Sequence, residues 1–348
     1  LEPVSAEDFG YKYDGAGYDR SRTVTYIWIA DATTGDVRQL TDGDFDDLFY
    51  SWSPDGSTIV FESGRQRSKS ESMALDLYTV LSEGGSPVRI SSGDWAVGYP
   101  IPVRPFFTKD GRYVVGAFLN GGPENGYPHT HLRRIDLETG ENIDLFPDGD
   151  YEAASFPYNP PLARCGERAL LSPDGKSVLF VSGSEGGCGL YSVPLDGSRV
   201  VKPLITGEVC IIGLAPGHSG LILAAIGSPT NPGEYVLIDP DNGAIVERLV
   251  RAGSLCTERA TSKPEVIWFD TLDGEDKVQG WVLPPQNMER GRKYPAVVYV
   301  HGGPHPYYTH CMDYEHQCLA GAGFAVLYCN PRGSSGYGMK HQNVERAM

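Results

Sequence analysis

Basic residues are scarce in this chain, and that scarcity limits the partners it can have. Its 29 lysine and arginine residues are outnumbered by 45 acidic residues, which gives a net charge of −16 over 348 residues. An acidic surface repels phosphate backbones, so the composition argues against a nucleic-acid partner. No apolar run reaches the length of a membrane span, and no signal-peptide pattern opens the chain. The first residue is Leu, which indicates that this is not a native translation start.

Metal-binding patterns are also missing. The seven cysteines contain no C-x-x-C pair, which favours free, mostly buried thiols in a reducing compartment and therefore a cytoplasmic location. His310, Cys311, His316 and Cys318 lie within nine positions, but the last two face different ways on a predicted helix. His129 and His131 share a strand face without a third ligand. We therefore expect no metal and no organic cofactor.

Repeats dominate residues 20–250. One element is a Pro-Asp-Gly-type turn before an apolar strand, as in Trp52-Ser53-Pro54-Asp55-Gly56, and it recurs at 107–111 and 171–175. It alternates with a strand, a polar turn and another strand. Four strands every 45 to 60 residues or so are typical of a β-propeller rather than a sandwich. The pattern predicts full blades near 48–91, 100–146, 165–206 and 208–250, and the outer strands of a fifth at 24–41.

The array opens in the middle of a blade. An open propeller exposes unpaired strand edges, so we expect another segment or chain to complete the ring. The predicted fold thus opens with a partial β-propeller over 1–255.

The pattern changes after residue 250. Two strands are predicted at 266–269 and 278–283, and buried strands at 296–300 and 324–329. Between the buried strands Asp313 can cap a short helix over 314–320, which Gly321 and Gly323 would end. A strand, a helix and another buried strand indicate a parallel sheet, and hence an α/β domain.

The first buried strand runs into His301-Gly302-Gly303-Pro304. Two glycines let backbone N–H groups approach a developing oxyanion, and Pro304 stiffens the exit without adding a donor. The context predicts an oxyanion loop after the third strand of an α/β-hydrolase, so the propeller is expected to be followed by the N-terminal part of an α/β-hydrolase domain over 256–348. His301 is expected to orient this loop rather than to act as a base, since no serine partner is apparent for it. Arg332 could meet a substrate carboxylate, although pinning its own loop through carbonyl groups is favoured.

These motifs resemble the prolyl oligopeptidase family, nearest its acylaminoacyl-peptidase-like branch. The resemblance covers nearly the whole chain and rests on several stretches, namely Tyr294-Pro295, His301 to His305, Leu319 to Leu327, Asn330 to Gly338, and the Trp-Ser-Pro-Asp-Gly and Ser228 to Glu234 blade motifs. It implies a seven-bladed propeller that caps an α/β-hydrolase, and cleavage of short peptides or acyl-blocked N-terminal residues by a Ser-Asp-His triad. It also implies that Gly303 donates its N–H to the oxyanion hole.

The chain departs from the family in one respect. It contains no G-x-S-x-G elbow, and Gly333-Ser334-Ser335-Gly336-Tyr337 fails that pattern. We therefore expect the catalytic Ser, Asp and His to come from a second polypeptide or a missing segment, and this chain alone to be inactive. A homo-oligomer is left open.

Two other classes of function remain open. One is a non-enzymatic propeller that serves as a binding scaffold, which would need neither the His-Gly-Gly-Pro turn nor the Asn330 to Gly338 loop. The other is an esterase on the same hydrolase core, because ester and peptide hydrolysis share the oxyanion chemistry.

Overall fold

The structure is a computed structural model. It describes residues 12–13, 17–18, 24–65, 74–92, 97–98, 103–119, 130–146, 151–153, 157, 166–251, 261–303 and 305–342. The chain divides into two compact units, Leu1–Asp144 and Leu145–Met348, which we describe separately. No helix in the described part combines the length and the apolar character that a membrane crossing requires.

The first unit consists of antiparallel sheets. Two of them have two strands each: β1 (Lys12–Tyr13) with β2 (Gly17–Tyr18), and β3 (Trp28–Ala30) with β4 (Val37–Gln39). A five-stranded sheet contains β5 (Asp47–Trp52), β6 (Thr58–Ser63), β7 (Ala74–Leu81), β8 (Val88–Arg89) and β9 (Val97–Gly98). A four-stranded sheet contains β10 (Phe106–Phe107), β11 (Tyr113–Leu119), β12 (Thr130–Asp136) and β13 (Asn142–Asp144).

The second unit opens with an eight-stranded sheet. Its first meander is β14 (Ala169–Leu171), β15 (Ser177–Ser184), β16 (Gly187–Pro194) and β17 (Lys202–Ile205). Its second meander is β18 (Cys210–Pro216), β19 (Ile222–Ser228), β20 (Asn231–Ile238) and β21 (Ile245–Arg251). The two meet where Cys188 of β16 pairs in parallel with Cys210 of β18.

The predicted blade positions are confirmed as strand meanders. Four antiparallel four-stranded arrays run over β5–β8, β10–β13, β14–β17 and β18–β21, and β3–β4 form the outer pair that was expected at 24–41. The number of blades in a complete ring and the division at 255/256 stay predictions.

The repeated turn owes its shape to local side-chain hydrogen bonds. In the first copy the Ser53 hydroxyl donates to Asp55 Oδ1 over 2.6 Å, and the Thr58 N–H donates to Ser53 Oγ over 2.9 Å. Gly56 closes the turn at φ +73°, a left-handed conformation that favours glycine. The same arrangement recurs at 108–113, 172–177 and 271–276.

A four-stranded mixed sheet completes the second unit. Its strands are β22 (Glu265–Asp270), β23 (Lys277–Leu283), β24 (Ala296–Tyr299) and β25 (Ala325–Asn330), arranged in the order β22-β23-β25-β24. β24 lies parallel to β25, and helix α1 (Tyr314–Gly321) connects them. Asp313 caps α1 as predicted, because its carboxylate accepts from the N–H groups of Glu315 and His316 over 2.8 and 3.0 Å. A short helix α2 (Met339–Gln342) follows β25.

One face of this sheet is packed and the other is open. On the packed face Trp281, Val326 and Tyr328 lie against Ala320 of α1. On the opposite face Val298 is 68% exposed, and Val300, just after β24, is 73% exposed. The prediction that 296–300 is a buried strand is therefore wrong for this chain, because the apolar side chains of β24 that point away from α1 have nothing packed on them among the described residues.

Candidate oxyanion-loop site

The loop after β24 has the shape that the two glycines predict. Gly303 adopts φ +136°, a left-handed conformation that residues with a side chain rarely take. A Cβ atom at this position would lie 2.1 Å from Pro306 Cδ, so the loop accepts only glycine here. Gly302 has open space at the same point, with nothing within 4 Å.

The backbone N–H groups of this loop remain available. Within the part of the chain that the structure describes, neither Gly302 nor Gly303 donates its N–H in a hydrogen bond, and both residues are exposed. Donors of this kind, beside a sheet, can stabilise negative charge that develops on a substrate oxygen. Pro304 lies outside the described residues. The assignment of Gly303 to an oxyanion hole stays a prediction.

His301 is buried and connects two loops. Its Nδ1 lies 3.1 Å from the Gly302 carbonyl oxygen, and its Nε2 lies 3.0 Å from Ser334 Oγ. Burial lowers the pKa of His301, so the ring is neutral near pH 7. The expectation that no serine partner exists was wrong, because the glycine-rich loop folds back onto the ring. Since Ser334 is fully buried, this contact positions the loop rather than presenting a nucleophile.

The glycine-rich loop after β25 is held by Asn330, which is fully buried. Its side chain donates to the Tyr308 carbonyl oxygen over 2.8 Å and accepts from the Tyr308 N–H over 2.7 Å. It also donates to the Tyr337 hydroxyl over 2.7 Å, and that hydroxyl donates to Gln279 Oε1 over 2.5 Å. Asn330 thus ties the loops that follow β24 and β25 to each other.

Arg332 lies on the same glycine-rich loop. Its guanidinium is 2.7 Å from the Asp273 carboxylate in the β22–β23 turn, and both side chains are partly exposed. The pair fixes the loop through a carboxylate, where carbonyl groups were expected. A contact between Arg332 and a substrate stays a prediction.

The histidines at the candidate metal-ligand positions have other neighbours. The ring of His316 packs 4.7 Å from that of Tyr299 and 4.6 Å from that of Tyr328, measured between centroids. His310 accepts from Trp281 Nε1 over 3.4 Å. His131 Nδ1 lies 2.8 Å from Asp144 Oδ2, whereas His129 lies outside the described residues. Over the described ranges, no group of three His, Cys, Asp or Glu side chains is arranged to hold a metal ion.

The cysteines are free where the structure describes them. Cys188 and Cys210 are buried, Cys311 and Cys329 are half-buried, and Cys318 is exposed. Cys165 and Cys256 lie outside the described residues.

Sequence reasoning missed how the site is supported. Asn330 and Tyr337 belong to the Asn330 to Gly338 motif, but nothing in that motif shows that they bond to Tyr308 and Gln279. Glu185 and Gly186, in the β15–β16 turn, also contact this site through His310. Their sequence signal was limited to a glycine pair between two strands.

In the mixed sheet the fourth strand, β25, lies between the second and the third. This strand order, after a series of four-stranded meanders, is typical of β-propeller blades followed by an α/β-hydrolase sheet. Acylaminoacyl peptidase of Pyrococcus horikoshii has this fold, with a TM-score of 0.70 at 22% identity over 98% of this chain and 48% of that chain. A puromycin-hydrolyzing peptidase of Mycobacterium tuberculosis gives a TM-score of 0.61 at 21% identity over 89% of this chain and 45% of that chain.

Curated relatives agree with this class. The chain is 30% identical to the uncharacterized peptidase YuxL of Bacillus subtilis over 350 residues, which is 99% of this chain and 51% of the relative. It is 24% identical to dipeptidyl-peptidase 5 of Porphyromonas gingivalis over 298 residues, 84% of this chain and 40% of the relative. No protein-family model matches. These relatives are named as peptidases, in keeping with the resemblance to the prolyl oligopeptidase family, and the chain spans about half the length of the relative with the higher identity.

Proposed function

We propose that this chain is the propeller and oxyanion-loop portion of a serine peptidase. The complete protein would hydrolyse short peptides or acyl-blocked N-terminal residues through an acyl-enzyme, with Ser, Asp and His supplied from outside this chain. Two relatives support a peptidase, since one is named a peptidase and the other a dipeptidyl-peptidase. The observation that carries the proposal is the left-handed Gly303, whose N–H makes no hydrogen bond within the described structure.

The proposed chemistry gives this chain one direct task. The serine oxygen attacks the peptide carbonyl carbon while the histidine takes its proton, and the carbonyl oxygen gains negative charge. The Gly303 N–H donates to that oxygen. The histidine then passes the proton to the leaving amine, and water cleaves the ester by the same steps. The aspartate keeps the histidine oriented throughout.

The open side of the hydrolase sheet supports a contribution from outside. β24 is the last strand in the order β22-β23-β25-β24, and it pairs only with β25 among the described strands. An unpaired strand edge and exposed apolar side chains such as Val298 are features that a further strand and helix would cover. We therefore infer that the polypeptide carrying the triad pairs with β24 and covers the Val298 face.

The test uses the protein as purified from cells, with any polypeptide that accompanies it. Intact mass and sequencing should find a G-x-S-x-G sequence, followed by Asp and His, in the same preparation. A fluorophosphonate probe should label that sequence and leave residues 1–348 unlabelled. Labelling within residues 1–348, or peptide turnover by this chain alone, would refute the proposal.

Turnover of two substrates separates a peptidase from an esterase. We expect the preparation to cleave an acyl-peptide anilide, with Gly303→Ala slowing this reaction. Cleavage of a simple ester without any cleavage of the anilide would assign an esterase instead. Absence of both activities and of probe labelling in a preparation that contains the elbow would favour a binding scaffold.

A further inference from the structure

A blade hairpin reaches the loops that support the candidate site. The turn between β15 and β16 consists of Glu185 at φ +46° and Gly186 at φ +75°. Two successive left-handed residues make the tight turn that two-residue hairpins favour. Such tips ordinarily leave their backbone groups to water, whereas here Gly186 is buried and the backbone of the exposed Glu185 still bonds to protein.

The backbone groups of the tip bond to both loops. The Gly186 carbonyl oxygen accepts from the His310 N–H over 2.7 Å, and the Glu185 carbonyl oxygen lies 3.1 Å from His310 Nε2. The Glu185 N–H donates to the Gly336 carbonyl oxygen over 3.0 Å. The tip thus bonds to the segment after β24 and to the glycine-rich loop after β25.

The fit of the tip is close. A Cβ atom on Gly186 would lie 2.6 Å from Trp281 Cζ2, and Trp281 is fully buried. The Trp281 indole N–H donates to His310 Nδ1 over 3.4 Å. Because Nδ1 accepts, the hydrogen of the neutral ring is on Nε2, which donates to Glu185. A single tautomer therefore satisfies both partners.

The other end of the same segment is held by the glycine-rich loop. The His305 carbonyl oxygen accepts from the Ser335 N–H over 3.0 Å, and His305 Nδ1 donates to the Gly333 carbonyl oxygen over 2.9 Å. Residues 305–310 are therefore fixed at both ends, and Gly303 lies two residues before this segment.

We propose that the Glu185–Gly186 tip is a positioning element that holds residues 305–310 in place and thereby sets the position of Gly303. The tip touches no reacting atom. Its effect on catalysis rests on the proposed function, whereas its effect on the order of residues 305–310 does not.

Amide hydrogen exchange tests whether the Glu185–Gly186 tip holds residues 305–310 in place. Gly186→Ala adds a Cβ that meets Trp281. Gly220→Ala is the matched control, because Gly220 lies in the β18–β19 turn at φ +78° with nothing within 4 Å of its Cβ position. We expect the amides of residues 307–312 to exchange at least tenfold faster in Gly186→Ala than in the control. Equal exchange in the two variants would overturn the proposal.

Substitutions of His310 test the same contact without altering the turn. His310→Gln keeps a donor for Glu185 and an acceptor for Trp281, whereas His310→Leu removes both. We expect faster exchange over residues 307–312 in His310→Leu and recovery in His310→Gln. If Gly186→Ala does not fold, this pair decides the question, and equal exchange in both variants counts against the proposal.

Kinetics of the protein with its triad-bearing polypeptide test the catalytic consequence. His310→Leu should lower kcat for an acyl-peptide anilide at least tenfold with KM within twofold of wild type, and His310→Gln should restore most of the rate. A change in KM alone would contradict positioning of an oxyanion donor. If the wild-type preparation has no activity, the proposed function fails, while the exchange experiments still decide the role of the tip.

Discussion

At the scale of single residues, Glu62 stands out because it is buried without a hydrogen bond. It lies on β6 in register with Leu77 of β7, and neither carboxylate oxygen has a partner among the described residues. Burial raises the pKa of Glu62 well above its ordinary value of 4.5, because a desolvated charge is costly. The folded state therefore keeps this side chain protonated at a pH where the unfolded chain ionises it.

This environment predicts a loss of stability with rising pH. Above pH 4.5 the unfolded chain releases a proton that the folded chain retains, so the free energy of unfolding falls until the folded pKa is reached. Glu62→Gln should remove this dependence and raise the free energy of unfolding at pH 8 by at least about 1.4 kcal/mol, the equivalent of one pKa unit. Urea titrations between pH 4 and 8 measure it. Glu138→Gln, at an exposed position, serves as the control.

Gly303 carries the second prediction at this scale. Gly303→Ala brings a Cβ into Pro306 and moves the N–H, so kcat of the assembled enzyme should fall by about 10²-fold, the cost of one oxyanion donor. Gly291→Ala is the control, because Gly291 has φ +85° and nothing within 4 Å of its Cβ position. Equal rates for the two variants would show that Gly303 does not act on the reacting oxygen.

At the scale of elements, the helix that connects β24 and β25 depends on its cap. Asp313 satisfies two of the N–H groups that the first turn of α1 leaves without intrahelical partners. Asp313→Ala should lower the free energy of unfolding by about 1 kcal/mol, whereas Asp313→Asn should cost less, since asparagine also caps. Amide exchange over residues 314–321 would localise the loss. If amide exchange instead became faster evenly over the second unit, this would argue against a capping effect.

The segment from 301 to 316 contains four histidines whose pKa values burial lowers: His301, His305, His310 and His316. Near His316, Asp313 and Glu315 partly oppose this effect. The unfolded chain takes up protons near pH 6.5, before the folded chain does, so the free energy of unfolding should fall as pH drops below 6.5. This direction is opposite to that of Glu62.

Unfolding measured between pH 7.5 and 5 tests this prediction. His316→Gln should reduce the slope by as much as one proton, about 1.4 kcal/mol per pH unit. The exposed His218 provides the control substitution, His218→Gln. A slope that is unchanged by His316→Gln would place the acid sensitivity elsewhere.

How far the sequence predicts each element depends on where its determinants lie. The turn at Ser53 to Gly56 and the cap at Asp313 depend on residues within five positions, and both were predicted. The contact of Glu185 with Gly336 joins residues that are distant in the chain, and no local pattern indicates it. The apolar run at 296–300 correctly predicts a strand. Its exposure could not be read from the sequence, because the pattern does not show what packs on the strand.

At the scale of the whole molecule, the exposed face at Val298 should govern association. Val298→Lys should reduce self-association of this chain on its own, since it places a charge within an apolar patch. The same change should prevent activity in the presence of the triad-bearing polypeptide. Light scattering and anilide turnover measure the two effects. Val88→Lys, at an exposed position of the first unit, should change neither, and full activity of Val298→Lys would refute the inferred interface.

The position of β24 at the end of its sheet has a practical consequence. The backbone groups along the edge of β24 that pairs with no described strand offer a template on which a strand of another polypeptide can form hydrogen bonds. If the proposed triad-bearing polypeptide pairs there, a peptide with the sequence of its pairing strand should compete for this edge and lower the activity of the proposed assembly.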